Sequence, residues 1–184
     1  MPLPQLSVFL GLSLDGFIAR EDGSLDWLMA FDRDDTDYGY ADFFATIDTV
    51  VLGRRTFETV VGFGVDAWPY TEKRVIVLSS GAPGIPPTLQ ANVEVLALEP
   101  LALAEHLGAT GSKHVYLDGG QTVQRFLRDG LPLHLTLTYL PILIGYGRRL
   151  FGPLAEDRSL DLLDSTSFTG DAVQLRYRVL SNSD

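Results

Sequence analysis

Short apolar runs recur along the chain, and most of them end in glycine or in another turn-forming residue. Runs of this length that are apolar throughout are typical of strands buried on both faces of a parallel sheet. Two of them stop at glycine: residues 49–52 precede Gly53, and residues 114–117 lead into residues 118–120, Asp-Gly-Gly. The same pattern predicts further strands over residues 6–14, 74–78 and 93–98.

Segments with helical features lie between these strands. An amphipathic helix is predicted over residues 32–46, with acidic residues near its positive end. Helices are also predicted over residues 100–107, with proline in the first turn, and over 122–128, where a glycine follows. Residues 133–144 and 160–179 then follow as strands without a helix between them, which predicts an antiparallel edge. The whole pattern predicts an α/β sandwich with a mixed sheet, in a single domain over residues 1–184.

Composition narrows the classes of partner and the compartment. The chain has 184 residues, of which 46% are hydrophobic and 21% charged, as in ordinary globular proteins. The net charge of −10 repels phosphate backbones and anionic lipid, so we expect no nucleic acid and no membrane partner, and an anionic cofactor would need local cations. No cysteine is present, and residues 1–11 lack the features of a signal peptide. These features favour the cytoplasm.

The two strands that end in glycine turns carry the main functional signal. In parallel α/β sheets, ligands bind at the carboxyl ends of the strands, where a following helix offers free N–H groups to phosphate. Arg54 and Arg55 follow Gly53 and would supply positive charge. The alternative is that the glycines only close tight turns and the arginines are solvated. The occurrence of both turns together favours a binding site, whereas the three histidines show no metal-ligand spacing, so no metal is expected.

Several segments carry a family resemblance. Residues 13–19 read Ser-Leu-Asp-Gly-Phe-Ile-Ala, and residues 48–58 read Asp-Thr-Val-Val-Leu-Gly-Arg-Arg-Thr-Phe-Glu. These segments resemble the dihydrofolate reductase superfamily, and within it the closer resemblance is to the reductase domain of bacterial riboflavin biosynthesis, the RibD C-terminal domain. Residues 75–80, 115–120 and 139–147 fit the same family in order. The chain thus resembles a stand-alone member of that family over about residues 5–180.

The resemblance implies a fold and a cofactor. The fold is a three-layer α/β/α sandwich, with a central mixed, mostly parallel sheet and an antiparallel C-terminal edge. NADPH would cross the strand ends, with its phosphates at both glycine turns, its 2′-phosphate near Ser79 and Ser80, and its nicotinamide near Ala19. The implied cofactor-binding residues are Ala19, Gly53, Arg54, Arg55, Thr56, Leu78, Ser79, Ser80, Asp118, Gly119, Gly120, Gln121 and Thr122. The family also implies a homodimer, and residues 133–144 either contribute to its interface or lie in the interior.

The resemblance says less about the substrate. The riboflavin reductases usually have a lysine where Phe17 stands here, and their Asp-x-Pro-x-Leu-Thr-x-Arg stretch is missing after Glu58. Asp37 lies sixteen residues before Gly53, the interval that separates the substrate carboxylate from the glycine turn in dihydrofolate reductases. Asp37 is therefore either a catalytic carboxylate or one of several acids at a helix start.

Two further residues have open roles. Asp15 is either a turn-forming residue or an active-site carboxylate. Trp27 either forms a wall of the substrate pocket or packs as an apolar anchor against the sheet.

Three functions remain in competition. The first is an NADPH-dependent reductase of a small molecule, similar to 5-amino-6-(5-phosphoribosylamino)uracil reductase. The second is a dihydrofolate reductase. The third is a module that binds NADPH and catalyses no reaction. Hydride transfer needs few side chains, because the cofactor supplies the chemistry while the protein aligns the reactants and excludes water.

Overall fold

The computed structural model describes residues 2–31 and 36–180, and its central feature is an eight-stranded sheet. The strands of this sheet and of a small separate ribbon are, in chain order, β1 (Gln5–Ser13), β2 (Phe17–Ala19), β3 (Thr49–Gly53), β4 (Arg74–Leu78), β5 (Val93–Leu96), β6 (His114–Asp118), β7 (His134–Leu140), β8 (Arg148–Arg149), β9 (Leu160–Ser167) and β10 (Val173–Val179). The α-helices are α1 (Asp26–Met29), α2 (Tyr40–Thr46), α3 (Arg54–Gly62), α4 (Pro100–Ala109) and α5 (Gly120–Arg128), and two short 3-10 helices span Val65–Ala67 and Pro87–Leu89. Strands β2 and β8 pair separately as a small ribbon.

The strand order of the main sheet is β5-β4-β3-β6-β1-β7-β10-β9. All pairs from β5 to β7 are parallel, and β10 and β9 complete the sheet in antiparallel pairs. This arrangement confirms the predicted mixed, mostly parallel sheet with an antiparallel C-terminal edge. The register pairs Gly53 with Leu78 and Leu52 with Asp118, so these strand ends lie side by side at one edge of the sheet.

Helices cover both faces of the sheet and confirm the three-layer architecture. On one face, α4 and α5 bury Leu103, Leu107 and Phe126 against the inward side chains of the parallel strands. On the other face, Phe57 of α3 packs with the buried residues of β3 and β4, and the aromatic side chains of α2 pack against the same cluster. Because the central strands are apolar on both sides, each face requires a helix layer to exclude water.

The C-terminal third differs in detail from the sequence-based prediction. The predicted strand over residues 160–179 is two strands, β9 and β10, which are separated by a turn at Gly170 and Asp171, both with positive φ. Strand β7 lies between β1 and β10, and its Leu135 and Leu137 are buried. Both backbone edges of β7 are therefore paired within the sheet, which favours the interior interpretation for residues 134–140.

The predicted helix over residues 32–46 is shorter in the structure. Helix α2 covers only Tyr40–Thr46, and residues 32–35 lie outside the described residues. The short helix α1 precedes this region and was not predicted. Among the residues that the structure describes, no helix is long and apolar enough to cross a membrane.

Candidate active site

The two glycine turns predicted from the sequence pack directly against each other. A Cβ atom added to Gly53 would lie 2.9 Å from the Thr122 hydroxyl oxygen. Gly119 has a φ of +99°, and a Cβ atom added there would overlap the hydroxyl of Thr56. Glycine is therefore required at both positions, because each turn is in contact with the first turn of the other's helix. The result is a continuous backbone surface at the carboxyl edge of the sheet.

Both helices that follow these turns begin with their backbone donors unused by side chains. Helices α3 and α5 have nine residues each, have glycine at the N-cap, and lack both a side-chain cap and an acidic residue in the first turn. The first N–H groups of a helix have no partner inside the helix and carry a partial positive charge. Two such helix starts at one edge are suited to binding a negatively charged group such as a diphosphate.

Arg54 points toward the end of β4. Its Nη1 atom lies 3.2 Å from the position of a Cβ on Gly81, and the Ser79 hydroxyl borders the same glycine and accepts a hydrogen bond of 3.1 Å from its N–H. Arg54 also forms an exposed ion pair with Glu58 at 2.7 Å. A guanidinium group and a serine hydroxyl are thus held close together beside the exposed Ser80. This combination can bind a phosphate dianion.

Arg55 lies in a different place. It lines a groove of about 880 Å³ between α3 and residues 22–29, and Arg148 of β8 lines the same groove. Consecutive residues of a helix point in directions about 100° apart, because a helix has 3.6 residues per turn. The sequence assigned both arginines to the cofactor; in the structure Arg54 reaches toward Gly81, whereas Arg55 lines the groove, where Glu58, the ion-pair partner of Arg54, also lies.

The turn after β1 is held to the β7–β8 loop by Asp15. The Asp15 carboxylate accepts a hydrogen bond of 2.6 Å from the Ser13 hydroxyl and one of 2.8 Å from the backbone N–H of Gly145. The Ser13 bond is the main cause that lowers the pKa of Asp15, and the backbone N–H groups add to it. Both carboxylate oxygens are therefore engaged in binding the two loops together, which agrees with the turn-forming interpretation.

The same turn brings β2 against the second glycine turn. The Cδ1 atom of Ile18 lies 2.6 Å from the position of a Cβ on Gly120, so Ile18 contacts the start of α5; the buried Ala19 follows it in β2. Arg149 stacks over the Phe17 ring, with its guanidinium carbon 4.3 Å from the ring centre. A cation from β8 therefore lies beside Phe17, at whose position the riboflavin reductases usually have lysine.

A half-buried carboxyl group, Asp118, lies at the end of β6, and the family resemblance placed it among the cofactor-binding residues and not among the catalytic ones. The Tyr70 hydroxyl donates a hydrogen bond of 3.1 Å to Asp118. Burial raises the pKa of Asp118, and the bond from Tyr70 partly offsets this effect. Burial also raises the pKa of Tyr40 to about 12, and the nearby Asp118 charge adds to that shift. Such an environment lets Asp118 retain a proton at higher pH than an exposed carboxyl group does.

The remaining candidates, Asp37 and Trp27, have structural contacts. Asp37 is exposed and accepts hydrogen bonds of 2.9 Å from the N–H groups of both Gly39 and Ala41 at the start of α2. This geometry favours the helix-start interpretation over a buried catalytic carboxylate. Trp27 is 2% exposed and packs against Leu140, as expected of an apolar anchor rather than a pocket wall. Within residues 2–31 and 36–180, no group of side chains has the composition of a metal site.

The sheet order, the two helix layers and the paired glycine turns define a dihydrofolate reductase-like α/β protein. The dihydrofolate reductase of Schistosoma mansoni has the same fold: the TM-score is 0.63 at 18% identity, over 97% of this chain and 100% of that one. Within this class, the chain belongs to the RibD C-terminal domain family, whose model matches residues 4–174. The resemblance inferred from the sequence is thereby confirmed.

Two similar proteins cover nearly the whole chain. The uncharacterized protein YwjB of Bacillus subtilis is 34% identical over 172 residues, which is 92% of this chain and 95% of that protein. The crystal structure of a putative riboflavin biosynthesis protein from Shewanella sp. PV-4 has a TM-score of 0.88 at 33% identity and covers 96% of this chain and 99% of its own. The chain is therefore similar in extent to both relatives.

Proposed function

We propose that this protein is an NADPH-dependent reductase that transfers hydride to a small heterocyclic or imine-containing substrate, similar to 5-amino-6-(5-phosphoribosylamino)uracil reductase. The observation that carries the proposal is the pair of uncapped helix starts at the contacting glycine turns. In a protein with a net charge of −10, such a concentration of unused donors favours a negatively charged ligand. Membership of a reductase-domain family favours the same activity.

The chemistry of the residues at the carboxyl edge supports NADPH as the cofactor. The starts of α3 and α5, with Thr56, Gln121 and Thr122, would hold the diphosphate. Arg54 and Ser79 would hold the 2′-phosphate, because a guanidinium group matches a dianion better than a ribose hydroxyl. Ala19, which follows Ile18 in β2, would lie beside the nicotinamide. When bound, NADPH supplies the hydride; the protein orients the reactants and excludes water.

Asp118 is the group that we propose as proton source. When hydride adds to the carbon of a C=N bond, the nitrogen takes up a proton. Asp118 is suited to this role, because burial raises its pKa and it lies at the end of β6, beside the glycine turn. Tyr70 would hold the carboxyl group in place through its 3.1 Å hydrogen bond. This assignment replaces Asp37, whose two oxygens are both used at the start of α2.

A calorimetric titration with NADPH and NADH tests the cofactor assignment. We expect tighter binding of NADPH, and we expect Arg54→Ala to remove about 1.5–3 kcal/mol of this preference, the usual contribution of a charge-assisted hydrogen bond. Arg128→Ala is the matched control, since Arg128 is exposed in the last turn of α5, far along the helix from its start, and its loss changes the net charge equally. If neither nucleotide binds, the proposal is wrong.

Activity assays separate the competing functions. Oxidation of NADPH by dihydrofolate, inhibited by methotrexate, would identify a dihydrofolate reductase. NADPH binding without oxidation by any pyrimidine or pterin acceptor would identify a binding module. We expect oxidation with an amino-pyrimidine acceptor, and no methotrexate-sensitive turnover of dihydrofolate.

We also propose that the protein forms a homodimer, as the family resemblance implies. Strand β9 is an edge of the sheet, and its Leu160, Leu162 and Leu163 are exposed. Apolar side chains on an edge strand are normally covered, because such edges otherwise aggregate. Light scattering should give the mass of a dimer at micromolar concentration, and Leu162→Lys should shift it toward the monomer. A monomeric mass for the unchanged protein would contradict this proposal.

A further inference from the structure

The arginine that faces the end of β4 is already paired with a carboxylate of its own helix. Arg54 donates a hydrogen bond of 2.7 Å from its Nε atom to the Glu58 carboxylate, one helical turn further along α3, while its Nη1 atom lies next to Gly81. In the part of the chain that the structure describes, this is the one ion pair that involves the first turn of α3 or of α5. An anion that binds Arg54 would therefore share the guanidinium group with Glu58.

The pair is open to water and contributes little to the fold. The side chain of Arg54 is 52% exposed and that of Glu58 is 47% exposed. Exposed pairs four residues apart on a helix stabilise it only slightly, because water and salt screen the attraction. The pair can therefore weaken when Arg54 gains a stronger partner, and the charge of Glu58 can be removed without harm to the helix.

The carboxylate lowers the attraction of this corner for a phosphate group. Arg54 and Glu58 together carry no net charge, whereas Arg54 alone carries one positive charge. A phosphate monoester carries about −1.5 to −2 charges at pH 7. If it binds the Nη edge of a guanidinium group whose Nε is taken, it lies roughly 6–7 Å from the carboxylate. This separation is shorter than the screening length of about 8 Å at physiological salt, so the repulsion between the two anions is only partly screened.

We propose that Glu58 limits the preference of this protein for NADPH over NADH, because it opposes the 2′-phosphate at Arg54. The inference rests on the proposed function and adds to it a residue that sets the cofactor preference. NADH has a hydroxyl in place of the 2′-phosphate, so the pair of Arg54 and Glu58 stays closed when NADH binds. NADPH has to share Arg54 with the carboxylate and binds less tightly than Arg54 and Ser79 alone would allow.

The substitution Glu58→Gln tests the proposal, because glutamine keeps the length of the side chain and an oxygen that accepts a hydrogen bond, but it removes the charge. In calorimetric titrations at physiological salt, we expect NADPH to bind about fivefold more tightly, and NADH to change by less than about twofold. Glu105→Gln is the matched control. Glu105 is exposed in α4, it forms no ion pair with another described residue, and its substitution changes the net charge equally. It should leave the affinities for both nucleotides unchanged.

The Arg54→Ala background locates the effect of Glu58. Without the guanidinium group there is no partner to share, so the gain in NADPH affinity from Glu58→Gln should shrink to about twofold or less. A gain of the same size in both backgrounds would overturn the inference, and so would equal gains for NADPH and NADH.

Weaker binding of NADPH by Glu58→Gln would also overturn the inference, because Glu58 would then hold Arg54 in place for the phosphate. Failure of the proposed function is observed separately: neither the unchanged protein nor Glu58→Gln would then bind either nucleotide.

Discussion

The substitution Gly119→Ala tests whether the two glycine turns pack as closely as the structure places them. At a φ of +99°, a side chain is strained by about 1–2 kcal/mol, and its Cβ would overlap the Thr56 hydroxyl. Overpacking of this kind adds about 1–3 kcal/mol. We therefore expect Gly119→Ala to lower the free energy of unfolding by about 2–5 kcal/mol, the sum of these effects.

The assay is urea unfolding followed by tryptophan fluorescence, since Trp27 and Trp68 are both buried. Gly111→Ala is the matched control: its φ is +96°, and a Cβ there would meet no atom of the described residues within 4 Å. It should lose only the strain, about 1–2 kcal/mol. Thr56→Ala in the Gly119→Ala background should restore most of the steric part. Equal losses for the two glycine substitutions would refute the argument.

Three further predictions follow from single contacts. Tyr70→Phe removes a hydrogen bond that stabilises the Asp118 carboxylate, so the pKa of Asp118 should rise. The loss of reductase activity at high pH should then move to higher pH. A shift of the pH–rate profile in the other direction would contradict the role of Asp118 as acid. The pKa of Asp15 in the folded protein lies below its usual 3.8, so the ionised carboxylate stabilises the fold above pH 3.8. This stabilisation is lost as the pH falls through the pKa of the folded protein. The urea midpoint of Asp15→Asn should therefore fall less on acidification than that of the unchanged protein. Phe57→Ala removes a fully buried ring under α3 and should cost about 3–5 kcal/mol, measured by the same unfolding assay; a loss well below this range would mean that the layer collapses into the cavity.

Local patterns were enough to predict the layers of the fold. The apolar runs 49–52 and 114–117 are central strands because residues without polar alternation must be buried on both faces. The strand-only tail correctly predicted the antiparallel edge. The hairpin within residues 160–179 was missed, because its turn at Gly170 interrupts a segment in which apolar and polar residues alternate on both sides.

The candidate site was predicted in part. Gly53 and Gly119 could be identified because a glycine that follows a strand indicates a tight turn, whatever the rest of the chain does. Trp27 and Asp37 had two possible roles each, and only their surroundings distinguish them: Trp27 is enclosed by residues from distant segments, and Asp37 is occupied by the start of α2. Arg148 was not singled out in the sequence, because only the fold brings it to the groove that it lines with Arg55.

The sequence by itself determined the central parallel strands, their glycine turns and the family, since these depend on the order of residues along a short stretch. The tertiary structure decided which residues surround Arg54 and which surround Arg55, and it brought the Tyr70 hydroxyl within hydrogen-bond distance of the half-buried Asp118. These properties are distances between segments far apart in the chain. Charge, pKa and accessibility depend on such distances, because solvent exclusion and Coulomb interactions act through space and not along the backbone.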